Sequence, residues 1–161
     1  AAVSIRAVAS RCSVSAGTIY NYYESKADLL SDTIESIWHE IFFHPEDEQV
    51  FHDVESCISW IYERLEYGNS QFPGFFSLHS FGFMRDEKTS GKKRMMQTWG
   101  HILNGLCEVL ENDPKVRSDV FDQEFTEKKF ADILFSLILV SMIRQDYDPS
   151  SVLMLVKKTL Y

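Results

Sequence analysis

The chain has 161 residues, 45% of them apolar, and a formal net charge of −8 at neutral pH. That length allows one or two small domains, and that apolar content supports a packed core and excludes a disordered chain. An acidic total argues against a surface made for nucleic acid throughout, yet residues 1–26 hold Arg6, Arg11 and Lys26 against Glu24, a local +2 that leaves −10 on the remainder. A basic end on an acidic body suits a DNA contact confined to that end.

Only four Pro and seven Gly interrupt the chain, so the expected class is all-α. Residues 4–11 and 15–22 form the first two helices, with Ser4 and Ser15 placed as N-caps. Ala9 is the small residue where the two helices cross, Cys12 and Val14 flank the turn, and Ile19 and Tyr22 return to the side of Val8 and Ala9. A third helix begins at Ser25, with Asp28 three residues on as a weak capping box. Its Leu29, Leu30, Ile34, Ile37, Trp38 and Ile41 share one face, and it ends near Phe43, before Pro45 and an acidic loop over 45–49. The next helix spans 51–67 and breaks at 68–73. A short aromatic helix over 73–84 and a polar loop over 85–91 follow. Residues 92–111 are strongly amphipathic, Asn112-Asp113-Pro114 stops them, and 115–121 forms a short extra turn. The most apolar helix runs over 125–144, and a last one over 149–160 has Pro149 in its first turn and Asp148 as cap. No strand pattern and no internal repeat is present.

Residues 4–26 read SIRAVASRCSVSAGTIYNYYESK. Two short helices across a tight turn, followed at once by a third, have the spacing of a helix-turn-helix DNA reader. The segments SIRAVA (4–9) and VSAGTIYNYYESKADLL (14–30) resemble the TetR family of transcriptional regulators. The order T-I-Y-x-Y-Y-x-S-K-x-x-L-L is far more specific than a bare helix-turn-helix pattern. One departure is Ser13, where the family's turn usually carries Gly; a positive φ there costs about 1 kcal/mol. The resemblance also implies a further helix ahead of Ser4, so the sequence reads as starting inside the head.

Ala16, Gly17 and Thr18 open the second helix with small side chains that allow close approach to base edges, and Thr18 offers a hydroxyl and a methyl. Tyr20 and Tyr22 offer phenols to phosphates, Lys26 adds a cation, and Arg6 lies where the first helix crosses the DNA backbone. With Ser15 and Asn21 these residues make up the expected DNA-binding set, and the resemblance implies contacts at Thr18, Tyr20, Tyr22 and Lys26 in particular. A helix-turn-helix that is purely structural within a bundle is the plainer alternative, and the small and phenolic residues weigh against it.

In the body, Phe72, Phe75, Phe76, Phe81, Phe83 and Trp99 form a large aromatic set, with His79, Gln97, His101 and Asn104 as sparse polar groups. Core packing accounts for any single Phe. Apolar walls with a few polar groups describe a small-molecule pocket, and the resemblance implies an inducer pocket in this part of the chain. Its expected lining is Phe75, Phe76, His79, Phe83, Trp99 and His101. Lys92-Lys93-Arg94 opens a helix with cations, a solvated face or an anion contact. The helix over 125–144 is apolar around most of its circumference and needs a second cover. The expectation is an isologous four-helix dimer interface built from Phe130, Leu134, Leu137 and Ile138 with Val152 and Val156 of the last helix.

No catalytic constellation is present: there is no Gly-rich phosphate loop, no G-x-S-x-G and no His pair at zinc spacing. His44 and His52 bracket Glu46, Asp47 and Glu48, which read as a solvated acidic loop rather than a metal site. Three widely spaced cysteines, Cys12, Cys57 and Cys107, suit a reduced intracellular protein. There is no signal peptide, and the longest apolar run, 130–143, is too short to span a bilayer.

The expected protein is therefore all-α, with a helix-turn-helix head and connecting helix over 1–44 and a ligand-binding and dimerisation body over 45–161. The expected function is a ligand-responsive transcriptional regulator, most simply a repressor. It would be a cytoplasmic homodimer, without cofactor, metal or membrane, that binds a near-palindromic double-stranded operator and responds to a small-molecule inducer. The competing readings are a structural helical protein that keeps the head, and a small-molecule-binding enzyme, which lacks an identifiable nucleophile and base.

Overall fold

A computed structural model describes residues 4–42, 51–77 and 90–161, with the side chains of 90–98 left aside. Among the described residues the chain forms α1 (Ile5–Arg11), α2 (Ala16–Tyr20), α3 (Lys26–Phe42), α4 (Val54–Gln71), α5 (Ser90–Asn112), α6 (Glu127–Arg144) and α7 (Ser150–Leu160), and no strand.

The helix starts follow the expected chemistry at Ser15 and Ser25, while the N-cap of α7 is Pro149 rather than Asp148. Ser15 Oγ accepts the N–H of Thr18 at 3.0 Å. Ser25 Oγ accepts the N–H of Asp28 at 3.2 Å and donates to its carboxylate at 2.8 Å, so the capping pair is formed. Ser4 stands at the N-cap of α1, but its hydroxyl takes up no helix N–H. Asp148 Oδ1 accepts the N–H of Ser150 at 3.0 Å at the start of α7. Between α1 and α2 the turn places Ser13 at φ 56°, the left-handed region in which a β-carbon is disfavoured.

The largest departures from the expected boundaries are in α4. It begins at Val54 rather than residue 51, and it does not stop at Tyr67 but runs through Gly68 to Gln71, and breaks only at Phe72-Pro73-Gly74, where Gly74 has φ 81°. Gly68 stays helical because its missing side chain is a packing requirement: a β-carbon there would lie 2.6 Å from Ile41 Cδ1. Residues 115–121 form turns. The helix expected over 73–84 is described only as far as residue 77, of which 75–77 are helical.

Two apolar clusters organise the chain. The smaller holds Ile5, Ala9 and Ile19, with Val8, Ala16, Tyr23 and Leu29 packed against it. The larger includes Trp38, Ile41, Phe42, Ile58, Leu65, Phe76, Leu106, Leu134 and Val156. α3 therefore contributes its first turn to one cluster and its last two turns to the other, and its most extensive contact is with α5. Tyr22 was expected on the packed side of the head but is 81% exposed. α2 ends at Tyr20, so helical spacing no longer governs residue 22, and Tyr23 packs instead and donates its phenol to Asp32 at 3.0 Å.

The C-terminal end of α3 is tied to α4. Arg64 donates from Nε to the carbonyl of Ile41 and from Nη2 to that of Glu40 at 3.2 Å, and its guanidinium lies 4.5 Å above the ring of Tyr67. These bonds satisfy carbonyls that the helix end leaves without partners. A second tie sits at the far end of α4. The buried carboxylate of Asp113 accepts the N–H groups of Val54 and Lys115, each at 2.9 Å, and the phenol of Tyr161 at 2.5 Å.

Asp53 caps α4 by accepting the N–H of Ser56 at 2.7 Å and pairs with Lys115 at 2.7 Å. The hydrogen bonds from Lys115 and then Ser56 hold its carboxyl at about 2, below the ordinary 3.8. A lowered folded-state value means that the carboxylate's stabilisation is complete above the unfolded pKa and is lost as pH falls through about 2. Asp53→Ala is therefore expected to cost about 1 kcal/mol at pH 7. The gap to wild type should close as pH is lowered toward 2, read by urea unfolding at a series of pH values. A gap independent of pH would show that the capping carboxylate is not what stabilises α4.

Candidate nucleic-acid interface

α1 and α2 cross at Ala9, which is 3% exposed, and the apolar contacts of Ile5 and Ile19 lock the pair. That lock turns the other sides of both helices outward. Arg6, Ser15, Gly17, Tyr20, Asn21, Tyr22 and Lys26 are all exposed, and Ala16 and Thr18 are half-buried. Tyr20 is 53% exposed and Tyr22 81%, a costly display of aromatic surface unless something covers it.

The structure separates roles that the sequence merges. Ala16 packs against the head's own core, so its small size already serves the fold. Thr18 Oγ1 lies 2.9 Å from Ser15 Oγ, so its hydroxyl is engaged within the cap. Gly17 is different: a β-carbon there would meet only Ser15 Oγ, at 3.6 Å. Nothing among the described residues of the head requires a glycine at that position, which costs a helix up to about 1 kcal/mol relative to Ala. A surface that must come close to another molecule does require one.

The body does not gather the expected pocket residues. Phe76 is 1% exposed and packs on Trp38 and Tyr147, with ring centroids 5.8 and 6.3 Å away. Phe75 meets Trp38 edge-on, and Trp99 meets Phe135 edge-on at 5.8 Å. Trp99 Nε1 and Tyr147 Oη are buried with no hydrogen-bond partner among the described residues. His79 and Phe83 lie outside the described residues, as do Phe81, His44 with the acidic stretch over 45–49, and the side chains of Lys92, Lys93 and Arg94. Among the described residues a cleft of about 890 Å³ lies elsewhere, between the end of α3, α4 and the C-terminal half of α5. Of the six expected lining residues it includes His101 alone, together with Phe42, Phe51, Trp60 and Gly105. Cys57 is also part of its wall, and burial pushes that thiol up to about 12.

Of the expected dimer residues, Phe130, Leu134, Ile138, Val152 and Val156 are buried within the subunit and Leu137 is half-buried. A helix that is apolar all round hides its phase, and packing on α5 selected the opposite side. The outward apolar residues are Ile133, Val140 and Ile143 of α6 and Met154 and Leu155 of α7.

The exposed set on a helix-turn-helix head, on an all-α frame, defines a DNA-binding transcriptional regulator. Residues 1–33, the head and the start of α3, match the family model of the bacterial regulatory proteins, tetR family. No curated protein and no solved structure matches the chain. No helix among the described residues is long and apolar enough to cross a membrane, and no group of three or more His, Cys, Asp or Glu there is placed to hold a metal.

Proposed function

We propose that this regulator is a ligand-responsive repressor that binds a near-palindromic operator as a homodimer in the cytoplasm, and that it is not an enzyme. The observation that carries the reading is the outward set Gly17, Tyr20, Tyr22, Lys26 and Arg6 on a matched head. Two such heads about 34 Å apart would read successive major grooves. The head, with the first turn of α3, and the body, with the rest of α3, form the two working units. α3 is the lever, because it belongs to both apolar clusters. A ligand that favours a body arrangement with another head spacing lowers DNA affinity by reciprocal coupling.

The head's roles are separable. Lys26→Ala should weaken binding to operator and scrambled DNA alike and flatten the dependence of log affinity on log salt by about one unit per half-site. Thr18→Ala should change the preferred sequence, at about 1–3 kcal/mol for a lost base contact. Titrations of both DNAs at several salt concentrations decide. Equal losses on both DNAs for Thr18→Ala would assign Thr18 to positioning and leave the reading of bases to Gly17, Ala16 or Arg6.

A further inference from the structure

We infer that Arg64 is a positioning residue for operator binding: from α4 it fixes the last turn of α3 in place and angle, and through it the spacing of the two heads, without touching DNA. This role rests on the two-headed reading and adds the residue that sets its geometry. α3 carries the head on its first turn, where Leu29 packs on the head cluster, and the phenol of Tyr23 donates to Asp32 at 3.0 Å. At 1.5 Å of rise per residue, Ile41 lies about 18 Å along the helix from Leu29, so a tilt of about 10° at the far end moves the head by about 3 Å. Two heads that must reach their half-sites together therefore need α3 held in angle and not merely in contact.

Apolar burial is non-directional. Arg64 supplies direction. Its Nε donates to the carbonyl of Ile41 and its Nη2 to that of Glu40 at 3.2 Å, two successive carbonyls in the last turn of α3. Hydrogen bonds weaken steeply as they bend, so two from one planar guanidinium fix a rotation as well as a distance. Both acceptors are main-chain atoms, so the contact depends on where α3 lies and on none of its side chains. The donors are aimed from α4 itself, because the ring of Tyr67, three residues on, holds the guanidinium with its centre 4.5 Å away. The cation also faces the negative end of the α3 dipole. Gly68, one turn beyond Arg64 on the same face of α4, completes the grip. A β-carbon there would lie 2.6 Å from Ile41 Cδ1, so Ile41 is notched by its side chain and tethered by its carbonyl.

The test compares the full chain with Arg64→Met, which keeps the apolar stem and removes the donors. Each is titrated with two duplexes: an operator that the wild-type protein selects from random DNA, and one half-site of it. Arg64→Met should weaken full-operator binding by roughly tenfold and leave half-site binding within about twofold, because a loosened linkage lowers the effective concentration of the second head. Arg64→Lys, which keeps the charge without the planar fork, should lie between. Nitroxide labels on Cys12, the exposed cysteine of the head, in a Cys107→Ser background report the head-to-head distance without DNA by pulsed electron resonance. That distribution should shift or broaden in Arg64→Met, a change that lost stability alone does not produce. If circular dichroism shows Arg64→Met unfolded, the same comparison with Arg64→Lys decides. An undiminished preference for the full operator, or an unchanged head-to-head distance, overturns the role of Arg64 and leaves the two-headed reading standing. Equal losses on both duplexes assign Arg64 to the stability of the fold and overturn the role as well. A wild type that binds the half-site as tightly as the full operator overturns the two-headed reading and, with it, this role.

Discussion

Val140→Arg is expected to convert the protein to a monomer and to reduce operator affinity by on the order of a hundredfold or more, the range that linking two binding modules commonly supplies. Outside the head, every large apolar residue that stands exposed among the described residues lies on α6 or α7: Ile133, Val140, Ile143, Met154 and Leu155. Their exposure runs from 37% to 58%, which leaves apolar surface on both helices uncovered within one subunit. In an isologous interface the same patch meets itself, so one substitution places two like charges against each other. Burying an arginine without a partner is far more costly than leaving it in water. Val140 is 45% exposed, so the substitution leaves the subunit's own core of Leu134 and Ile138 intact, and thermal unfolding of the monomer should remain cooperative. Glu63→Arg, on an exposed position of α4, is the control for added charge. Sedimentation of wild type as a monomer at micromolar concentration, or of Val140→Arg as a dimer, would remove α6 and α7 from the interface.

Gly68→Ala is expected to destabilise the fold by a net of about 1–2 kcal/mol although alanine is the better helix former. The methyl would lie 2.6 Å from Ile41 Cδ1 and 3.1 Å from Phe76 Cζ. Ile41 has no exposed surface and Phe76 has 1%, so neither side chain has room to give way. Overpacking of this kind costs about 1–3 kcal/mol, which exceeds the gain of up to about 1 kcal/mol from helix propensity. Ile41→Val alone should cost about 0.5–1.5 kcal/mol. In the double variant the lost Cδ1 makes room for the new methyl, so the two losses should fall short of their sum by at least about 0.5 kcal/mol. Urea unfolding of the four proteins measures this. Strictly additive losses would mean that α3 and α4 are not held at this separation.

Much of the chain was legible because helix starts and stops are local chemistry. Ser15, Ser25 and Asp148 each hold an N–H two or three residues away, and such contacts require no distant partner. The left-handed Ser13 was anticipated for the same reason, from the turn it occupies. Gly68 was misread as a helix stop because its role depends on Ile41, 27 positions away, and no local pattern carries that.

The sequence by itself determined the all-α class, the helix-turn-helix head and the residues it could turn toward DNA, since short-range spacing and capping carry all three. Only the tertiary structure decided the phase of α6 and α7, and so which apolar residues stay inside the subunit. It alone moved the open cleft from the aromatic set around Phe76 to the space between Phe42, Trp60 and Gly105. An aromatic ring in a sequence does not say whether it packs against another ring or against empty space. That depends on how closely α3, α4 and α5 approach, and the approach is set by Gly68, Ile41 and Arg64, residues brought together only by the fold.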